Sequence, residues 1–170
     1  MQIHPRPPEH QRSANRPAIA YRIRKARKPD WPKIVRLNSH HNRPGRQDST
    51  VFDYLVAIVT REIVGAAAIR LNGTTGYLYG LVVASGWRRN GIGHALTDAC
   101  LERVRDFGAE RVFAFAMFWN IRFFRQHGFA PIKRASLAEP NLLHGDFSEE
   151  WCQHSTLLCA DLSAREAMPR

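Results

Sequence analysis

Val82-Val83-Ala84-Ser85-Gly86-Trp87-Arg88-Arg89-Asn90-Gly91-Ile92-Gly93-His94-Ala95-Leu96 is the stretch on which the reading of this chain turns. An apolar, β-branched run ends at Val83, a short basic loop follows, and a helix opens on two glycines. A helix start leaves several backbone N–H groups without intrahelical acceptors and carries partial positive charge. Gly91 and Gly93 have no Cβ, so a diphosphate can approach those amides closely. Arg88 and Arg89 add fixed positive charge. Glycine lowers helix stability by about 1 kcal/mol relative to alanine, so two of them at one helix start need a reason. The physical reading is a pyrophosphate cradle. A P-loop is excluded, because no Gly-Lys-Ser/Thr follows at the required spacing. A dinucleotide fingerprint needs a small residue where Leu96 stands and a strand near the start of the domain, whereas three strands precede this loop.

Downstream, Ile92, Ala95, Leu96, Ala99, Cys100, Val104 and Phe107 fall on one stripe at helical spacing, which predicts a helix over 91–107 that Gly108 stops. A strand over 111–117 follows, then a short helix over 120–127 closed by Gly128, with His127 as its expected cap. Strands are expected at 129–133 and 156–162, with loop between. Upstream, strands are expected at 20–25, 54–59, 63–71 and 77–83, with a tight turn near Thr60–Glu62 and a hairpin signal at Asn72-Gly73. Asp30 is the expected cap of a helix over 31–38. Residues 39–50 (SHHNRPGRQDST) read as a long polar loop of the kind that often carries binding groups. The order β-α-β-β-β-α-β-α-β-β implies an α/β (α+β) fold, a mixed sheet flanked by helices; the family resemblance given below implies that this central sheet is mostly antiparallel.

Length and composition bound the rest. The chain has 170 residues, enough for one domain and short for two. Residues 1–18 are rich in Pro, Arg and His with no apolar period and read as a tail, 19–163 as the folded domain, and 164–170 as a C-terminal tail. No apolar run is long enough to cross a bilayer, and the N-terminus has no secretory core. Three cysteines without zinc spacing suit a reducing cytoplasm, and no metal is expected. The formal charge is +10 and unevenly spread: residues 1–50 carry +9 and residues 51–170 carry +1. That concentration points to an anionic partner near the N-terminal elements or to a solvated basic face, with 21 of the 25 basic residues arginine. A nucleic-acid role lacks a motif and an interleaving of aromatics with the basic residues.

The stretch 82–96 resembles the GNAT superfamily of acyl-CoA-dependent N-acetyltransferases, whose Arg/Gln-x-x-Gly-x-Gly/Ala signature is matched by Arg88-x-x-Gly91-x-Gly93. A second element, an aromatic pair ahead of Gly-Phe, is matched by Phe123-Phe124-Arg125-Gln126-His127-Gly128-Phe129. That ending and the closing STLLCADL (155–162) are most similar to the amino-acid branch related to N-acetylglutamate synthase. The resemblance implies transfer of an acetyl group from acetyl-CoA to a primary amine without a covalent enzyme intermediate. It implies that the amides of Arg88, Arg89, Asn90, Gly91, Ile92, Gly93 and His94 hold the pyrophosphate. Leu81, Val82 and Val83 would pair with the pantetheine arm, and Asn120 would touch it. A backbone N–H near the end of the 77–83 strand would stabilise the developing oxyanion.

Two positions depart from the family. Many members carry Tyr as the second aromatic, where it protonates the leaving thiolate; here it is Phe124. The amino-acid branch often carries a Glu on the central strand where Tyr77 stands. Candidates for acid and base are therefore Tyr77, Tyr79, Glu62, His40 and His41, or water. Arg43 and Arg46 could grip an acceptor carboxylate. The expected partner is a small, anionic amine, a homodimer is left open, and no membrane is involved. The alternative is a CoA-binding module that has lost catalysis and uses its basic first third to hold nucleic acid or another partner.

Overall fold

The computed structural model describes residues 19–39, 53–136 and 154–163. Its elements are β1 (Arg22–Lys25), α1 (Trp31–Ser39), β2 (Asp53–Val59), β3 (Glu62–Asn72), β4 (Thr75–Val83), α2 (Ile92–Asp106), β5 (Arg111–Ala116), α3 (Ile121–Arg125), β6 (Phe129–Pro131) and β7 (Thr156–Asp161). The strands form one seven-stranded sheet in the order β1-β2-β3-β4-β5-β7-β6. All neighbours run antiparallel except β4 and β5, which are parallel. The element order is the one the sequence predicts. The hairpin loop is Gly73-Thr74, since Asn72 already pairs with Thr75, and Gly73 takes the positive φ (+57°) that the turn requires.

Alternation along the strands divides the core into two layers. On one face Leu55, Ala57, Ala67, Ile69 and Leu78 pack against Ile92, Leu96, Cys100, Leu101 and Val104 of α2. On the other, Tyr54, Val56, Ala66, Ala68, Tyr77 and Tyr79 pack with Ile34 of α1. The buried stripe of α2 differs from the expected one at its margins. Thr97 is fully buried, its hydroxyl donating to Gly93 O at 2.9 Å, and Leu101 is buried as well. Phe107 stands at the helix end and is exposed, beneath the Arg103 guanidinium. Burial pushes the Cys100 thiol well above its ordinary pKa, as befits a core residue.

Asp30 does more than open α1. It closes a 3-10 turn (Lys28–Asp30) that leads into the helix, accepting from the Arg27 N–H at 2.7 Å. It also accepts both Arg24 guanidinium arms, at 2.6 and 3.1 Å, which ties α1 to β1. The Arg24 hydrogen bonds hold its carboxyl below the ordinary value of 3.8; burial opposes them in part, and the Arg27 N–H adds a lesser lowering. A carboxylate with a depressed folded pKa adds stability that is complete above the unfolded value and fades as pH falls through the folded one. Asp30→Asn is therefore expected to lower stability at pH 7 by about 1–2 kcal/mol. The difference from the parent should shrink below about pH 4 in chemical denaturation run across pH.

Candidate functional site

The parallel register of β4 and β5 runs from Thr75–Arg111 to Leu78–Ala114 and stops there. Just beyond, the register with β3 slips: Ala68 faces Tyr79, but Ala66 faces Val82. β4 thus carries one extra residue at Gly80–Leu81, where Gly80 adopts φ +60°. A bulge bends a strand and increases its local twist, so β4 peels away from β5 at this point. The gap is the head of a cavity of about 620 Å³. Leu78 to Val83 form one wall, Phe115, Trp119, Asn120, Phe123 and Phe124 another, and the loop and first turn of α2 the mouth.

The mouth is held by its own side chains. Arg88 Nε donates to Val83 O at 3.0 Å, folding the loop back on the strand end. Asn90 Nδ2 donates to Trp87 O at 3.1 Å and Arg88 O at 3.2 Å. Arg89 takes φ +62° and Gly91 φ +77°, a left-handed start to the helix. Gly91 is the N-cap and offers no side-chain cap, so the first-turn amides are left for water or ligand. A Cβ on Gly93 would stand 3.6 Å from Phe123 and 3.8 Å from Val83, both residues of the cavity wall. A side chain there meets no steric bar but would fill the cradle. The donors, the fixed arginine charge and the unfilled space fit a diphosphate, with a slot leading away along β4 for an extended arm.

Most of the residues singled out in the sequence meet here. Leu81, Val82, Val83, Arg88, Arg89, Gly91, Gly93, His94 and Asn120 line the cavity. Two do not. Ile92 is buried under α2 and can offer only its backbone, and Asn90 braces the loop from behind. Tyr79 lines the cavity, whereas Tyr77 lies outside it, buried and stacked on Phe113 with ring centroids 5.8 Å apart. Tyr77 thus packs in the core layer beside α1. Glu62 is exposed at the start of β3, away from the cavity wall. His40, His41, Arg43 and Arg46 lie outside the described residues. His127 is no simple helix cap: its ring joins Asp98 and His94, at 2.8 and 2.9 Å.

Two residues were not anticipated. Gly80, the bulge, was signalled only as a lone glycine inside a strand pattern. Asn38, on the last turn of α1, is 2% exposed, and its Oδ1 has no hydrogen-bond partner among the described residues. That oxygen lies 3.9 Å from where a Cβ on Gly80 would be, so α1 ends beside the bulge. No sequence pattern marks such an atom.

The chain belongs to the acetyltransferase (GNAT) family, whose family model matches residues 20–129. No curated protein matches it. Among solved structures, it is similar to an acetyltransferase of the GNAT family from Staphylococcus aureus Mu50 at 17% identity and TM-score 0.68, covering 84% of this chain and 99% of that one. It is similar to N-acetylglutamate synthase from Neisseria gonorrhoeae, in complex with coenzyme A and L-arginine, at 20% identity and TM-score 0.65. That match covers 84% of this chain and spans only a third (33%) of the synthase. The ribosomal-protein-S18-alanine N-acetyltransferase from Escherichia coli is similar at 13% identity and TM-score 0.66, covering 89% and 100%. At these identities the likeness is one of fold. Among the described residues no helix is long and apolar enough to cross a membrane.

The two glycines should separate by experiment. Gly93→Val is expected to leave thermal stability within a few degrees of the parent and to weaken coenzyme A binding at least tenfold by calorimetry. Gly91→Ala should cost about 1–2 kcal/mol of stability, because an L-residue is strained at positive φ.

Proposed function

We propose that this protein transfers an acetyl group from acetyl-CoA to the primary amine of a small, carboxylate-bearing molecule, by direct attack on the thioester. The observation that carries this reading is the opening of β4 away from β5 directly above the Gly91/Gly93 cradle. When bound, acetyl-CoA would supply an activated acyl carbon and a good leaving group.

The chain's own part is binding, orientation and proton handling. The first-turn amides of α2 and Arg89 hold the diphosphate, and Asn120 and the β4 edge from Leu81 to Val83 orient the arm. A backbone amide at the bulged end of β4 offsets negative charge on the acyl oxygen. Phe123, Phe124, Phe115 and Trp119 keep the acyl end dry. Phe124 has no proton to give, so Tyr79 is carried forward as donor to the departing sulfur, with water taking the amine proton. Asn38 Oδ1 is an acceptor for an incoming N–H from the α1 side.

The acceptor class rests on charge. Residues 1–50 hold +9 of the net +10, and α1, which packs on β3 and β4, belongs to that segment. The N. gonorrhoeae synthase has also been seen with N-acetyl-glutamate, an anionic molecule, in its complex with coenzyme A. The unpaired Cys100 and Cys159 thiols suit a cytoplasmic setting.

A thiol-release screen against amines of differing charge should rank amino acids and other carboxylate-bearing amines first. Rising salt should raise the acceptor KM. A preference for polyamines would overturn the charge argument. Salt-sensitive binding of nucleic acid without any turnover would favour a non-catalytic module. Tyr79→Phe is expected to lower kcat about 100-fold or more, and Tyr77→Phe only a few-fold.

A further inference from the structure

Asp98, His127 and His94 form a hydrogen-bonded chain that the acyl-transfer reading does not use. Asp98 and His94 stand one turn apart on α2, and His127 follows α3. His127 Nδ1 lies 2.8 Å from Asp98 Oδ1, and His127 Nε2 lies 2.9 Å from His94 Nδ1. Phe123 braces both rings, with centroids 4.7 Å from His94 and 5.1 Å from His127. The His127 side chain is 4% exposed and that of Asp98 69%, so a buried imidazole joins a solvated carboxylate to a residue of the cavity wall.

This chain dictates where the protons sit. An ionised carboxylate only accepts hydrogen bonds, so His127 Nδ1 carries a proton. Neutral His127 then offers a lone pair at Nε2, and His94 must donate its Nδ1–H to it. Neutral His94 is thereby left with a lone pair on Nε2, its remaining nitrogen. One further proton makes the pair cationic. Whether that charge is drawn on His127 or on His94, His94 Nε2 then bears an N–H. Imidazole is the side chain for which such a change falls in the physiological range.

A diphosphate presents only acceptor oxygens, which repel the lone pair and bond the N–H. We infer that the His94–His127 pair takes up one proton from solvent when the diphosphate of the coenzyme docks, with Asp98 holding the far end of the pair. This rests on the coenzyme reading above. The other charged groups on the elements packed around the pair are Arg88 and Arg89 of the loop, Glu102, Arg103, Arg105 and Asp106 of α2, and Arg122 and Arg125 of α3; β6 brings none. An incoming diphosphate brings negative charge to the cavity that His94 lines. Uptake is therefore tied to binding. Second partners of this kind fix the tautomer of a working imidazole in many sites.

Dephospho-coenzyme A is the probe, because the 3′-phosphate of coenzyme A itself titrates near pH 6. Calorimetric titrations in two buffers of differing ionisation enthalpy should show uptake approaching one proton per ligand. Affinity should fall by up to about tenfold per pH unit as pH rises through the range from about 6 to 8. Pantetheine, which has no diphosphate, should show no uptake. His94→Gln should still bind, several-fold more weakly at low pH, with the uptake lost. Asp98→Asn, at a solvated carboxylate that leaves the fold undisturbed, should move the uptake to lower pH. Binding without proton uptake in the parent, or equal uptake in His94→Gln, would overturn the relay while leaving the coenzyme reading in place. No binding of dephospho-coenzyme A at any pH would overturn both.

Discussion

The helix α2 reaches the sheet at two points where the strands carry no side chain. A Cβ on Gly65 of β3 would come within 3.1 Å of Leu96 and of Val82 O, and within 3.3 Å of Ile92. A Cβ on Gly76 of β4 would come within 3.2 Å of Val104 and 3.3 Å of Val112. These distances are tighter than ordinary packing, and at Gly65 one neighbour is backbone that has little room to give. The first contact lies beneath the first turns of α2 and the second beneath its last. Together they fix the height and direction of the helix over β3 and β4, and so set where its unpaired amides stand relative to the end of β4.

That close seating ties together two features that would otherwise be independent. The cradle needs helix amides at a defined distance from a strand end. The slot needs the same strand to leave its neighbour. β4 supplies both, because its bulge at Gly80–Leu81 lies between the stretch that pairs with β5 and the stretch that feeds the loop. Arg88, bonded back to Val83 O, keeps the loop from straightening across the mouth. Under the proposed function, a ligand with a phosphate at one end and a reactive group at the other would be positioned by one strand, one loop and one helix start. Positioning of this kind is a large part of what catalysis by direct transfer requires.

The sequence displayed the cradle more clearly than the slot. Gly91, Gly93 and the paired arginines announce themselves through residue types whose physical uses are few, and the stripe of α2 is long enough to be read. The element order followed from local patterns and turn residues. The slip in register did not, because it is a relation between strands: nothing local to Tyr79 or Gly80 says which residue of β3 will face it. The same holds for Tyr77 and Tyr79. They share a face of one strand, look alike in sequence and both pack in the same core layer, yet the strands separate between them, so that only Tyr79 also borders the cavity. His127 looked like a cap because its partners, His94 and Asp98, lie about thirty residues upstream and come together only through packing. Asn38 carries no signal at all, since a buried oxygen without a partner among the described residues is a property of its surroundings.

Solved proteins of this fold differ in what they acetylate: one is a synthase of N-acetylglutamate and another acts on an alanine of a ribosomal protein, at 20% and 13% identity to this chain. Fold alone therefore does not choose the acceptor. Under the proposed function, the coenzyme side of the cleft is built from the first-turn amides of α2 with Gly91 and Gly93. The acceptor side would then be bounded by α1, whose end meets the bulge at Asn38. Charge in this chain divides the same way, with nearly all of the excess in the segment that includes β1 and α1 and a near balance over the rest. Electrostatic attraction of that kind acts over about a Debye length, roughly 8–10 Å at ordinary salt, and so does not require direct contact. Under the proposed function, the field of the first third would select the amine and the amides of α2 would retain the coenzyme.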